Sequence, residues 1–140
     1  MICPVGPEAP RHRHGFEIEN AVADRFSRRG EFERYLRRIH RVYRRRMQTM
    51  LSGLDRNLPA GIEWWKPVGG YTLWLNLPHP VDAEPGLCAA IGNAGVRVTP
   101  GRGFFAAPPR RAHLRLSIAC VGEDRIEEGC RRLGATLAGR

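Results

Sequence analysis

Lysine is nearly missing from this chain. Lys66 is the only one among 23 basic residues, and it stands immediately before Pro67. A catalytic Schiff base wants a buried amine in a pocket, so this chain offers a poor candidate for one. Cysteine is also scarce: Cys3, Cys88, Cys120 and Cys130 show no paired CxxC spacing. They are too few for a disulfide scaffold and wrongly spaced for a zinc ribbon, which predicts a reduced, cytoplasmic setting. No apolar run approaches the length that crosses a bilayer, so no membrane partner is expected. The opening Met-Ile-Cys-Pro-Val-Gly-Pro lacks a charged start followed by an apolar core, so no secretory signal is expected either.

A catalytic set is equally hard to assemble. Ser117 and His113 share one face of a strand, but four residues place them about 13 Å apart, too far for a nucleophile and its base. His40 lies on the apolar flank of a long helix, where a packed or partly exposed core histidine is the ordinary reading. His79 sits between two prolines in a turn. Gly101-x-Gly103 lacks the further glycine, the Lys-Ser/Thr pair and the helix of a phosphate loop. No carboxylate pair stands apart from ordinary surface acids. An exposed His12-x-His14 without further ligands is a polar tail rather than a metal site.

What the chain does have is arginine. The net charge is +9, and ten arginines lie between Arg25 and Arg46 against Glu31 and Glu33. Such a cluster attracts nucleic acid or another acidic partner. Its length of 140 residues and apolar fraction of 42% suit one compact domain with its own core.

Residues 1–15 carry three prolines and no apolar period, which predicts a disordered tail. Phe16, Ile18, Val22 and Phe26 predict a short helix to Arg29, broken by Gly30. Phe32, Leu36, Ile39, Tyr43, Met50 and Leu54 then mark the clearest helix, which Asn57 and Pro59 stop. Its arginines run around the polar side without interleaved stacking aromatics. A solvated face is therefore favoured over a nucleic-acid interface.

Ile62–Lys66 and Tyr71–Leu77 predict a hairpin joined through Pro67-Val68-Gly69-Gly70, with Pro78 and Pro80 ending the second strand. Asp82 is a candidate N-cap for a short helix with Leu87, Cys88 and Ile91 on its apolar side and Gly95 past its end. Val96–Thr99 predicts a brief strand leading into the Gly- and Phe-bearing loop from Pro100. His113–Cys120 alternates, with Leu114, Leu116, Ile118 and Cys120 on one side and His113, Arg115, Ser117 and Ala119 on the other. Glu123–Asp124 open a final helix with the stripe Ile126, Cys130, Leu133 and Leu137. The expected fold class is α+β: a two-layer domain over residues 16–140, with a small three- to four-stranded sheet, helices packed on one face and a long amphipathic helix in front.

Arg115 is the suggestive residue. From spacing alone, a mid-strand arginine is ordinarily one that faces water. The sharper alternative is a guanidinium fork held by a stiff strand to clamp a carboxylate.

A resemblance bears on that choice. Several stretches carry it in order: the helix from Tyr35 to Arg46, Pro67-Val68-Gly69-Gly70-Tyr71-Thr72-Leu73-Trp74-Leu75, and Gly95-Val96-Arg97-Val98-Thr99-Pro100-Gly101 with Phe104. Leu114-Arg115-Leu116-Ser117 and Ile126-Glu127-Glu128-Gly129 complete the set. Together they resemble the C-terminal small domain of class I/II aminotransferases, the fold-type-I enzymes that use pyridoxal 5'-phosphate. The likeness extends to the branch that holds aminoadipate-type enzymes and the aminotransferase-like half of GntR-type regulators, and it spans residues 17–138.

The resemblance implies that Arg115 forms a bidentate pair with a substrate α-carboxylate, as suits a planar guanidinium. It implies that Thr99, Gly101 and Phe104 line the pocket near the substrate side chain, with Gly70 and Tyr71 as further lining candidates. Pyridoxal phosphate is implied for the intact family protein and not for this chain alone. The cofactor lysine, its aspartate partner and the phosphate-binding residues belong to a larger preceding domain, which residues 1–30 do not match; Lys66 does not match the lysine.

The expected function is the substrate-carboxylate-binding part of a transaminase, which moves an amino group between an amino acid and a 2-oxo acid, inactive alone. The alternatives are a fragment of a GntR-type regulator with an aminotransferase-like effector domain, or a basic nucleic-acid-binding module. Expected partners are an amino acid or 2-oxo acid and either the missing large domain or a second subunit. The apolar face of the long helix and Trp64, Trp65 and Trp74 are candidates for covering by such a partner.

Overall fold

Two leucine-rich alternating segments, Leu73-x-Leu75-x-Leu77 and Ala112-x-Leu114-x-Leu116, become the two central strands. Each has one fully buried face. The computed structural model describes residues 30–139. The tail at 1–15 and the helix expected over Phe16–Arg29 lie outside them.

The chain divides into two compact units, Met1–Val42 and Tyr43–Arg140. In the first, the described residues form the start of helix α1 (Glu31–Asn57). Glu31 and Glu33 lie in its first turn, where the helix dipole favours acids, and Arg37 pairs with Glu33 at 3.6 Å. Arg34, Arg37, Arg38 and Arg41 are exposed, and so is His40, which corrects its reading as a packed or partly exposed core residue. His40 sits on the arginine-bearing side of the turn rather than among the residues that bury.

The second unit holds the rest of α1, then β1 (Glu63–Trp64), β2 (Thr72–Pro80), a 3-10 turn (Val81–Ala83), α2 (Glu84–Asn93), β3 (Thr99–Pro100), a second 3-10 turn (Arg102–Phe104), β4 (Arg111–Ser117) and α3 (Glu123–Ala138). The four strands form one sheet in the order β1-β2-β4-β3. All pairs are antiparallel, and β2 against β4 is the longest ladder. Met50 and Leu54 of α1, Leu87 and Ile91 of α2, and Ile126, Cys130, Leu133 and Leu137 of α3 complete the core on the sheet's leucine face. Each fully buried leucine contributes about 1.5–3 kcal/mol relative to exposure. The expected α+β, two-layer architecture with a long leading helix is the one observed.

Helices α1 and α3 approach closely because Gly134 has no side chain; a Cβ there would collide with the Asn57 carbonyl. Arg46 departs from the solvated arginine face. Its Nη1 donates to the carbonyls of Ile118 (3.2 Å) and Ala119 (2.9 Å), tying α1 to the end of β4.

Strand β1 is shorter than the expected Ile62–Lys66, pairing only at Glu63–Trp64; four further boundaries differ from expectation, each for a backbone reason. Strand β2 runs through Pro78 to Pro80, because the ladder with β4 is irregular between Asn76 and Pro80 and makes no demand on the missing N–H. Asp82 is not the N-cap: it lies inside the 3-10 turn, and Ala83 takes the cap position without a side-chain bond. Val96–Val98 do not join the sheet; the Val96 N–H is committed to the Ile91 carbonyl at the end of α2 (3.1 Å), so pairing begins at Thr99. Strand β4 ends at Ser117. Ile118 still bonds the Tyr71 carbonyl at 3.0 Å and is buried, but the chain then turns and leaves Cys120 exposed.

Candidate functional site

Strand β4 lies inside the sheet, so its outward residues are flanked on both sides. Arg115 pairs across with Trp74 of β2 and with Thr99 of β3. It sits on the face opposite the leucines, half-buried, with its Cζ 4.7 Å from the centroid of the Phe104 ring. Such cation–π contact is worth about 0.5–1 kcal/mol where exposed and about 2 when desolvated. The Nε atom is buried and, among the described residues, has no hydrogen-bond partner. An unsatisfied buried donor costs about 1–3 kcal/mol. A planar anion meeting the side of the guanidinium fork would supply the acceptor and two parallel bonds at once.

Aromatic rings wall the same face. Trp74 meets Phe104 edge-on at 5.6 Å, Phe105 at 5.9 Å and stacks on His113 at 5.8 Å; Phe105 lies 4.8 Å from His113. The His113 Nδ1 is 2.9 Å from the Asn76 Oδ1. An amide oxygen only accepts, so Nδ1 carries the hydrogen and Nε2 keeps its lone pair when the ring is neutral. Trp74 is thus covered within the chain, whereas Trp65 remains 65% exposed.

The loop bearing Phe104 and Phe105 is held from below by Glu84, the first residue of α2 and only 2% exposed. Its Oε1 accepts from the backbone N–H groups of Gly101 (3.1 Å), His113 (3.1 Å) and Arg102 (3.2 Å), and Oε2 lies 3.3 Å from the Arg102 N–H. A buried carboxylate is tolerable because three donors and the N-terminal end of a helix surround it. Gly101 also donates to the His113 carbonyl at 2.8 Å. That approach needs glycine, since a Cβ would stand 2.8 Å from the same oxygen.

Of the residues singled out from the sequence, Arg115, Thr99, Gly101 and Phe104 come together on this face. Gly70 (φ 86°) and Tyr71 lie in the loop before β2, beside the Ser117 end of β4, and the Tyr71 ring faces Tyr43 at 6.2 Å. Glu84 went unnoticed in the sequence, as did Asn76 and the ring contacts of His113 with Trp74 and Phe105. An acid before Pro85 in a first turn looks like any dipole-favoured surface acid, and no spacing rule announces its burial.

A family model described as aminotransferase class I and II matches residues 18–133. A 2-aminoadipate transaminase of Thermus thermophilus is 41% identical over 108 residues, 77% of this chain and 27% of the relative. The crystal structure of an α-aminoadipate aminotransferase from the same species, complexed with N-(5'-phosphopyridoxyl)-L-leucine, superposes with a TM-score of 0.76 at 37% identity, over 84% of this chain and 30% of that one. An uncharacterized helix-turn-helix type transcriptional regulator of Escherichia coli, YdcR, is 31% identical over 88% of this chain and 26% of its own length. The chain therefore spans between a quarter and a third of the length of these relatives.

The family's members depend on pyridoxal phosphate, but the described residues do not fit that group as a bound cofactor. Lys66, the one lysine, is exposed in the loop after β1, so the described residues offer no buried amine to hold that group covalently. Fold, matched span and the relatives' identities agree, and the chain belongs to the class I and II aminotransferase family.

Proposed function

We propose that this chain is the substrate-carboxylate-binding part of a pyridoxal-phosphate-dependent aminotransferase, with Arg115 clamping the carboxylate of an amino acid or 2-oxo acid. The observation that carries it is the guanidinium of Arg115, oriented by Phe104 and presenting a buried Nε–H with no acceptor among the described residues. Thr99 and Gly101 shape the backbone beside it, and Phe104 with Trp74 supplies an apolar wall. Gly70 and Tyr71 are proposed as lining residues at the other end of the strand pair. The group that reacts with the substrate's amine comes from elsewhere: a cofactor-bearing domain or a second subunit.

Titration of the chain with pyruvate, followed at the Arg115 Nε–H resonance, tests the clamp. The resonance should move in the wild type, and in Arg115→Met, which lacks that group, the backbone amides of β4 should show no pyruvate-dependent shift. A wild-type resonance that ignores pyruvate would defeat the reading. Supplied with pyridoxal phosphate and an amino acid, the chain alone should show no turnover; sustained transamination would overturn its dependence on another part.

The likeness to YdcR supports a second reading, in which the same clamp senses a carboxylate effector in a transcriptional regulator. Translation of the DNA upstream of the Met1 codon separates the two: a lysine-bearing cofactor domain alone supports the enzyme, whereas a winged-helix region supports the regulator.

A further inference from the structure

We infer that Glu84 is a positioning residue for the carboxylate clamp: by holding the backbone of Gly101, Arg102 and His113 from the core side, it sets the Phe104 ring against the Arg115 guanidinium. The inference rests on the carboxylate-binding reading of Arg115 proposed above. Three observations converge on it. Glu84 is the one buried charged side chain among the described residues, at 2% exposure. Its three donors come from two segments, the loop at Gly101–Arg102 and strand β4 at His113, so one carboxylate fastens the loop to the strand that bears Arg115. The second 3-10 turn begins at Arg102, held by Glu84, and ends at Phe104, whose ring lies 4.7 Å from the Arg115 Cζ.

The alternatives on the same residues are weaker. A surface acid at a helix start would need no donors beyond water. A purely architectural carboxylate could brace any pair of strands, yet this one braces the turn whose last residue stacks on Arg115. Charge-assisted bonds to backbone N–H groups are also stronger than neutral ones, so the loop's position follows the carboxylate closely.

The full 140-residue chain, labelled on nitrogen and on core methyl groups, tests this. The Arg115 Nε–H resonance, assigned by its disappearance in Arg115→Lys, should be displaced by the ring current of Phe104 and lose that displacement in Phe104→Leu. Glu84→Gln should lose it to the same extent, while the methyl resonances of Leu75, Ile91 and Leu114 hold their places. A folded Glu84→Gln that keeps the displacement overturns the inference.

If Glu84→Gln does not fold, Glu84→Asp carries the test. It keeps the charge but withdraws it by one methylene, and the same loss or retention decides. Failure of both to fold would make Glu84 a stability residue and overturn the positioning role.

Pyruvate affinity gives the second readout. Glu84→Gln and Phe104→Leu should each weaken binding about two- to fivefold, the range a lost exposed cation–π contact allows. The double variant should be no weaker than Phe104→Leu, because Glu84 acts through that ring; additive losses would overturn the inference. If wild-type Arg115 does not respond to pyruvate at all, the carboxylate reading fails while the ring-current result still stands by itself.

Discussion

Replacing Gly101 with alanine should cost this domain several kilocalories, although it adds a single methyl group. The new Cβ would stand 2.8 Å from the His113 carbonyl oxygen and 2.9 Å from its carbon, where ordinary contact is 3.4–4 Å. Relief requires the segment from Thr99 to Arg102 to back away from β4. The motion stretches two bonds of the Gly101 N–H, to the His113 carbonyl at 2.8 Å and to the Glu84 carboxylate at 3.1 Å. Overpacking in a closely fitted site costs about 1–3 kcal/mol. Weakening one neutral and one charge-assisted hydrogen bond adds about 1–3 kcal/mol. A total of about 2–6 kcal/mol corresponds to a fall in Tm on the order of 10 °C or more for a domain this size.

Urea unfolding of Gly101→Ala beside Gly103→Ala provides the comparison. At Gly103 an added Cβ meets nothing within 4 Å and φ is not positive, so that variant should stay within about 0.5 kcal/mol of wild type. Equal stabilities for the two variants would refute the close approach of β3 and β4 at Gly101.

Other expectations follow from burial and charge. Leu75→Ala, at a fully buried position in β2, should lose about 2–5 kcal/mol in the same urea measurement. Arg115→Met should abolish the pyruvate response yet match or exceed wild-type stability in thermal melts, because it removes a buried donor that lacks a partner. Thiol labelling followed by peptide mass mapping should modify exposed Cys120 before buried Cys130, since burial pushes the Cys130 thiol up to about 11. The folded state holds that proton more tightly than the unfolded chain. Stability from this group is therefore complete below about pH 9 and is lost as pH rises through about 11, which pH-dependent denaturation would reveal. Hydrogen bonds from Arg131 and Arg132 hold the Glu128 carboxyl down to about 2, so its NMR titration should fall well below the ordinary glutamate range.

Periodicity alone determined most of the fold's skeleton. The stripe Ile126, Cys130, Leu133 and Leu137 is buried as read, and Leu73, Leu75, Leu114 and Leu116 point into one core. These features are legible because a helix or strand must turn its apolar repeat toward the same side whatever it packs against. The family likeness was legible too, because its motifs follow one another along the chain.

Boundaries were less so. Pro78 looked like a strand terminator because proline cannot donate to a ladder, but the β2–β4 ladder slips at that point and has no use for the donor. Val96–Val98 alternated like a strand, yet the preceding helix had already taken the Val96 N–H.

The site divided in the same way. Arg115 stood out only through the family likeness, because spacing alone favours a mid-strand arginine that faces water. Its setting showed in part, through the same likeness, which brought in Thr99, Gly101 and Phe104 but neither Trp74 nor Glu84. Phe104 reaches it from a turn eleven positions away, Trp74 from a strand forty-one positions away, and Glu84 acts from the start of a helix through main-chain donors that leave no mark in the sequence. Local pattern determines which face a side chain takes. Only the tertiary structure decides which distant carboxylate, ring and carbonyl it meets there, because those contacts depend on how separate elements pack.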